Sequence, residues 1–289
     1  MKNILIILSF VLSFTSCIDV NNVINPGDKP IVEAYLAPNH TVSMKVFTEI
    51  PYSETDSTFS VPISGLSITI KNLSGASFTL TESETKGTYV STAKLGAAGQ
   101  TYSMSFVHNG RTVSATTILP VKPVGFKMSV SEIERIYRDL SSGFQSGGGP
   151  GGPPQGGGFQ QEARVNIDLS WTNPDEIYHF VAAQYLETTL SPIVQFPTNE
   201  TGFTRPARRF TNRPIKTSTS NLQSQQFEYF GRYAIILYRL NPDYAALYEN
   251  DNTSSQNLVT PVSTIENGLG IFTGVNADTL ILNVKKQVL

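Results

Sequence analysis

The groups from which this chain of 289 residues could build a reactive centre are few and scattered. His40, His108 and His179 lie far apart, with no His-x-His and no His-Glu-x-x-His spacing, so no zinc site is expected. No Gly-x-Ser-x-Gly elbow exposes a serine nucleophile. The acid pairs Glu132/Glu134 and Asp175/Glu176 read as local turns or solvated faces, and an all-β chain of this size supplies such pairs without a glycosidase dyad. Asp251-Asn252-Thr253 is polar enough for calcium but lacks the spacing of an EF-hand loop. The glycine triplets at 147–149 and 156–158 have no strand before them and no Lys-Ser/Thr after them, so they do not cradle phosphate. No catalytic residue, metal or cofactor is expected. The net charge of −2 excludes a nucleic-acid binder that works by charge.

Two sets of side chains remain as contact surfaces. TRPARRFTNRP holds Arg205, Arg208, Arg209 and Arg213, whose guanidiniums can grip carboxylates or phosphates in a bidentate way. Against that stands a plain solvated loop. Tyr229, Tyr233, Tyr238, Tyr244 and Tyr248, with Phe227 and Phe230, suit sugar or peptide contact if exposed. Alternation along a strand requires about half of them to be core, so burial is the leading reading.

One thiol has an obvious chemistry. Cys17 is the single cysteine. Lys2 precedes an apolar run from Ile4 to Phe14, and small Ser16 stands directly before Cys17, a signal-peptide pattern too short to span a bilayer. The pattern resembles the bacterial lipoprotein signal. That resemblance implies that residues 1–16 are removed and that Cys17 is acylated by palmitate-type chains. Residues 17–29 then form a lipidated tether into outer-membrane lipid. Several acyl chains give stable anchoring at roughly 0.8 kcal/mol per buried CH₂, where one is marginal. Asp19, just after the cysteine, resembles the surface-export signal of Bacteroidota lipoproteins. Asp56-Ser57-Thr58 and Asp278-Thr279-Leu280 resemble the O-glycosylation sequon of the same envelope, with Ser57 and Thr279 as acceptors.

The elements that carry these residues are strands. Charged residues make up 15%, while Thr, Ser, Tyr, Phe and Val are plentiful. From residue 30 to 120, seven short alternating runs are separated by Gly, Asn, Pro and Ser, which predicts a first antiparallel β-sandwich. In GTYVSTAKLGAAGQTYSMSF each Tyr just after a Gly turn is placed to close a sandwich corner, and the segment resembles transthyretin-like and fibronectin-like modules. Pro120 and Pro123 read as a stiff linker. Residues 121–289 form the second domain. SEIERIYRDL carries a capping-box spacing at Ser131 and Glu134 and predicts a short helix. Residues 141–162 are Gly/Pro-rich and cannot bury enough apolar surface to order, so they read as a disordered loop. Asn241 and Pro242 predict a second short helix, with Tyr244, Leu247 and Tyr248 on one face. The fold class is all-β: two tandem antiparallel β-sandwich domains with one or two short helices.

PIVEAYLAP (30–38), LYRLNPDYAALYEN and VSTIENGLGIFTG (262–274) together resemble a family of Bacteroidota outer-membrane lipoproteins known only as a domain of unknown function, of the DUF4249 type. In NGLGIF, the glycines permit positive φ and close backbone approach, while Ile271 and Phe272 anchor a turn in the core. The resemblance implies a non-enzymatic companion of a TonB-dependent transporter that binds substrate or caps the channel. It carries over no catalytic residue. The alternatives are a structural or adhesive surface module, and an envelope hydrolase.

Overall fold

The computed structural model describes residues 29–48, 61–139, 162–196, 207–249 and 263–287. Seven strands build the first core: β1 (Pro30–Leu36), β2 (Thr41–Thr48), β3 (Ile68–Asn72), β4 (Ser77–Glu82), β5 (Thr88–Lys94), β6 (Thr101–His108) and β7 (Arg111–Ile118). Each sends alternate residues inward, as a period of two requires. Val32, Ala34 and Leu36 meet Met44, Ile70, Tyr89, Met104 and Val113 in one core. The two corner tyrosines behave as their placement suggests. Gly87 and Gly99 take positive φ (71° and 87°). The Tyr89 hydroxyl then donates to the Ile63 carbonyl at 2.7 Å, and the Tyr102 hydroxyl accepts from the Gly96 amide at 2.8 Å.

The second core is enclosed by two layers. One is a three-stranded sheet of β15 (Thr219–Gln223), β11 (Asn166–Thr172) and β8 (Val124–Met128). Facing it are β14 (Arg209–Thr211), β12 (His179–Tyr185), β16 (Gly231–Leu240), β17 (Leu269–Lys286) and β9 (Glu132–Arg135). Two-residue strands β10 (Arg138–Asp139) and β13 (Val194–Gln195) pair beside it. Ile167, Leu169, Trp171, Tyr233, Ile235 and Leu282 lie at its centre. The protein is all-β, with one α-helix among the described residues, α1 (Pro242–Glu249).

Strand β17 unites the two cores. Its first residues pair in parallel with β1, Ile31 opposite Leu269 through Leu36 opposite Gly274. Its later residues pair antiparallel with β16, Val275 opposite Leu240 through Val284 opposite Gly231. Phe272 is buried in the first core, and Leu282 and Val284 in the second, all at even positions. NGLGIF therefore turns at Asn267 and Gly268, with Asn267 at φ 55°, and leads at Leu269 into a strand of 18 residues. The glycine requirement is real. Gly270 sits at φ 96°, and a Cβ there would lie 2.1 Å from the Val32 carbonyl oxygen. Asn267 closes the same edge, its side-chain amide donating to the Thr112 carbonyl at 2.8 Å.

Three expectations are corrected. SEIERIYRDL is not a helix: residues 132–135 form β9, parallel to β17. Ile133 and Arg135 point inward at a spacing of two, and the backbone partners come from the free edge of β17 at Asn283–Lys286. Pairing is also not antiparallel throughout, because β1–β17, β9–β17 and β10–β13 are parallel. Glu162, expected at the end of the disordered loop, belongs to the ordered fold. Its carboxylate lies 2.6 Å from Arg135 Nε, and both side chains are about nine-tenths buried. The remaining residues of that loop, 141–161, lie outside the described residues, as do Cys17, Ser57 and Arg205.

Candidate functional site

Where β17 passes from one core to the other, a cleft of about 490 Å³ opens between them. One wall is the Ile118–Val121 stretch, which runs from the end of β7 into the segment of Pro120 and Pro123 expected as a stiff linker. It is fastened down at several points. The Asn241 side-chain amide donates to Thr117 Oγ1 (3.0 Å) and to the Ile118 carbonyl (2.8 Å). The Asn276 side chain donates to the Pro120 carbonyl at 2.9 Å, and the Gly274 amide to Thr117 Oγ1 at 2.8 Å. A Cβ on Gly274 would sit 2.1 Å from the Ile118 carbonyl oxygen, so this approach also needs glycine. Leu119 and Pro120 are buried, while Ile118 and Val121 show their side chains to solvent.

Another wall is the turn after β11. Asn173 builds it alone: its Nδ2 donates to the Ile177 and Lys216 carbonyls at 2.9 and 2.8 Å, and its Oδ1 accepts the Ile177 amide at 3.0 Å. Asp175 and Glu176 stand on this turn, Glu176 at φ 50°. Lys216 lies beside them with its ammonium 4.5 Å above the Tyr178 ring. Arg239, at the end of β16, is half-buried and lines the same cleft. No ion pair joins any of these four charges to a described residue. α1 starts at the rim. Asn241 accepts the first helical amides through its backbone carbonyl, not through its side chain as a cap, and Pro242 takes the first helical position.

His179 lies beneath Arg239, its cross-strand neighbour. It is 1% exposed, and Nδ1 donates to the Ile177 carbonyl at 2.8 Å, so the proton sits on Nδ1. Burial pushes its pKa below the usual imidazole value; the hydrogen bond to Ile177 works the other way, and Arg239 adds to the lowering. Its Nε2 and the neighbouring Trp171 Nε1 are buried without a hydrogen-bond partner among the described residues.

The residues singled out by sequence fall elsewhere. Arg208, Arg209 and Arg213 are exposed on or beside the edge strand β14, away from the cleft. Thr279 is exposed in mid-strand on β17. The aromatic set divides between two faces. Phe227, Tyr229 and Tyr233 are core, with Phe227 and Tyr233 edge to face at 4.9 Å. Tyr238 stacks on Phe180 at 4.7 Å on the opposite face, where Tyr244 meets Tyr35 at 5.6 Å. The Tyr248 side chain lies outside the described residues. Sequence reasoning passed over Lys216 and Arg239 and set Asp175/Glu176 aside as a turn pair. A signal existed: Asn-Pro-Asp occurs at 173–175 and again at 241–243, and both asparagines tie down a wall of the cleft.

The fold and cleft define an all-β module of two cores joined by one continuous strand, with a small-molecule-sized opening at the join. The chain belongs to the family described as a domain of unknown function, DUF4249, whose model matches residues 18–281. A search of curated proteins found no match. Among solved structures, a two-domain fibronectin type-III segment from chicken tenascin is similar at 12% identity, covering 89% of this chain and 99% of that one. Its TM-score is 0.23, and no argument rests on it.

Proposed function

We propose that this chain is a lipid-anchored lipoprotein of the Bacteroidota outer membrane. It serves, without catalysis, as an accessory of a TonB-dependent transporter, holding substrate in the junction cleft or covering the channel. The observation that carries this is the position of the first core relative to Cys17. β1 opens at Pro30, thirteen residues after the cysteine. Thirteen residues reach at most about 45 Å when fully extended. An acylated Cys17 would therefore hold the module close to the membrane surface, where a transporter opens. The family match, which starts at residue 18, supports a shared unit that begins directly after the anchor. Thr279, exposed, and Ser57 are the proposed glycan acceptors.

The test is crosslinking of cells carrying a tagged copy, followed by mass spectrometry of what is captured. A TonB-dependent transporter recovered in amounts comparable to the bait is the expected outcome. Recovery of only lipid and the bait contradicts it. That result would favour a structural or adhesive surface module, a reading supported by the unbroken β17, which makes the two cores a stiff spacer.

A further inference from the structure

The cleft has a charge pattern that narrows its ligand. Asp175, Glu176, Lys216 and Arg239 all line it, and none forms an ion pair with another described residue. A half-buried guanidinium without an anion is a costly arrangement in isolation, and a ligand carboxylate relieves it with two parallel hydrogen bonds. The carboxylates nearby disfavour a polyanion such as a nucleotide. They equally favour a cationic group on the ligand. Between the charges the surface is apolar, supplied by Ile118, Val121 and Ile177. A sugar has little to stack on, because the Tyr178 ring is already covered by Lys216. The volume of about 490 Å³ falls within the roughly 300–1,000 Å³ of small-ligand sites and is too small for a folded partner.

We infer that the junction cleft binds a short apolar peptide in its zwitterionic form. Arg239 and Lys216 take the terminal carboxylate, Asp175 and Glu176 take the terminal ammonium, and the Ile118–Val121 wall takes the side chains. This deepens the substrate-holding role proposed above and rests on it.

Calorimetric titration of the detergent-solubilised full chain with trileucine, its C-terminal amide and its N-acetyl form tests the inference. Trileucine binds, and each modification weakens binding about tenfold or more, the size of one lost charged hydrogen bond. Arg239→Gln weakens trileucine by a similar factor and narrows the gap between the acid and the amide, the remainder being held by Lys216. Lys216→Gln, at an exposed position where folding is not at stake, weakens the acid more than the amide. Equal binding of acid and amide to the unaltered chain overturns the inference, as does no binding at millimolar peptide. Capture of the transporter by Arg239→Gln separates the two readings. If the transporter is retained while peptide binding fails in the unaltered chain, the accessory role stands and the ligand assignment falls. If peptide binds but no transporter is captured, the accessory role falls and the ligand assignment stands.

Discussion

Replacing Glu162 with Ala should cost the fold more than any surface change. Its carboxylate accepts from Arg135 Nε at 2.6 Å and from the Ile136 amide at 3.1 Å. Arg135 also donates through Nη1 to the Ser224 and Phe227 carbonyls. Both side chains are about nine-tenths buried, so water cannot replace the lost anion. Removing one partner of a buried pair typically costs about 3–5 kcal/mol, because the other charge stays desolvated. At roughly 2–4 °C per kcal/mol for a chain of this size, the melting temperature should fall by about 6–20 °C. Urea unfolding of Glu162→Ala, Arg135→Met and the double variant reads the magnitude and the coupling. The double variant should be less damaging than the two single losses added together. A loss below about 1 kcal/mol for Glu162→Ala would refute the reasoning, since the pair would then behave as a solvated surface contact.

Other perturbations probe separate parts of the structure. Gly270→Ala places a Cβ against the Val32 carbonyl at a positive φ and should destabilise by roughly 2–4 kcal/mol, read by chemical denaturation. Asn173→Ala removes three hydrogen bonds from the cleft wall and should cost about 1–3 kcal/mol, with faster amide exchange at Ile177 as the local signature. His179 has a folded pKa below the usual 6.5, so the unfolded chain binds its proton first as pH falls. Stability is therefore highest above 6.5 and declines as pH falls from there toward the folded pKa. His179→Gln should flatten that slope in pH-dependent melts, and an unchanged slope would assign it to other groups.

Much of the fold was legible because burial on one face leaves a period of two. All seven strands of the first core follow runs such as TVSMKVFT, whose alternate residues are buried. The corner roles of Tyr89 and Tyr102 followed from the Gly turns just before them. The helix expected at 131–140 failed because Ile133 and Ile136, three apart, suggest one helical face, whereas the chain instead buries Ile133 and Arg135, two apart, as a strand. The free edge of β17, more than 140 residues away, decides for the strand. That strand was itself obscured. Gly270 and Gly274 look like turn residues in sequence, but they serve close backbone contacts along a continuous strand. The cleft was hidden for a related reason. Its charges come from the turn after β11, the segment before β15 and the end of β16, and only the fold brings them together.

Everything proposed about function begins at Cys17. The most direct measurement is the mass of the N-terminal peptide from protein purified out of its native cells. A peptide that starts at Cys17 and carries acyl chains on the thiol and the new amino group is the predicted result. A peptide that starts elsewhere, or one with an unmodified Cys17 thiol, would contradict the anchored role and remove the reason to place this module beside a transporter.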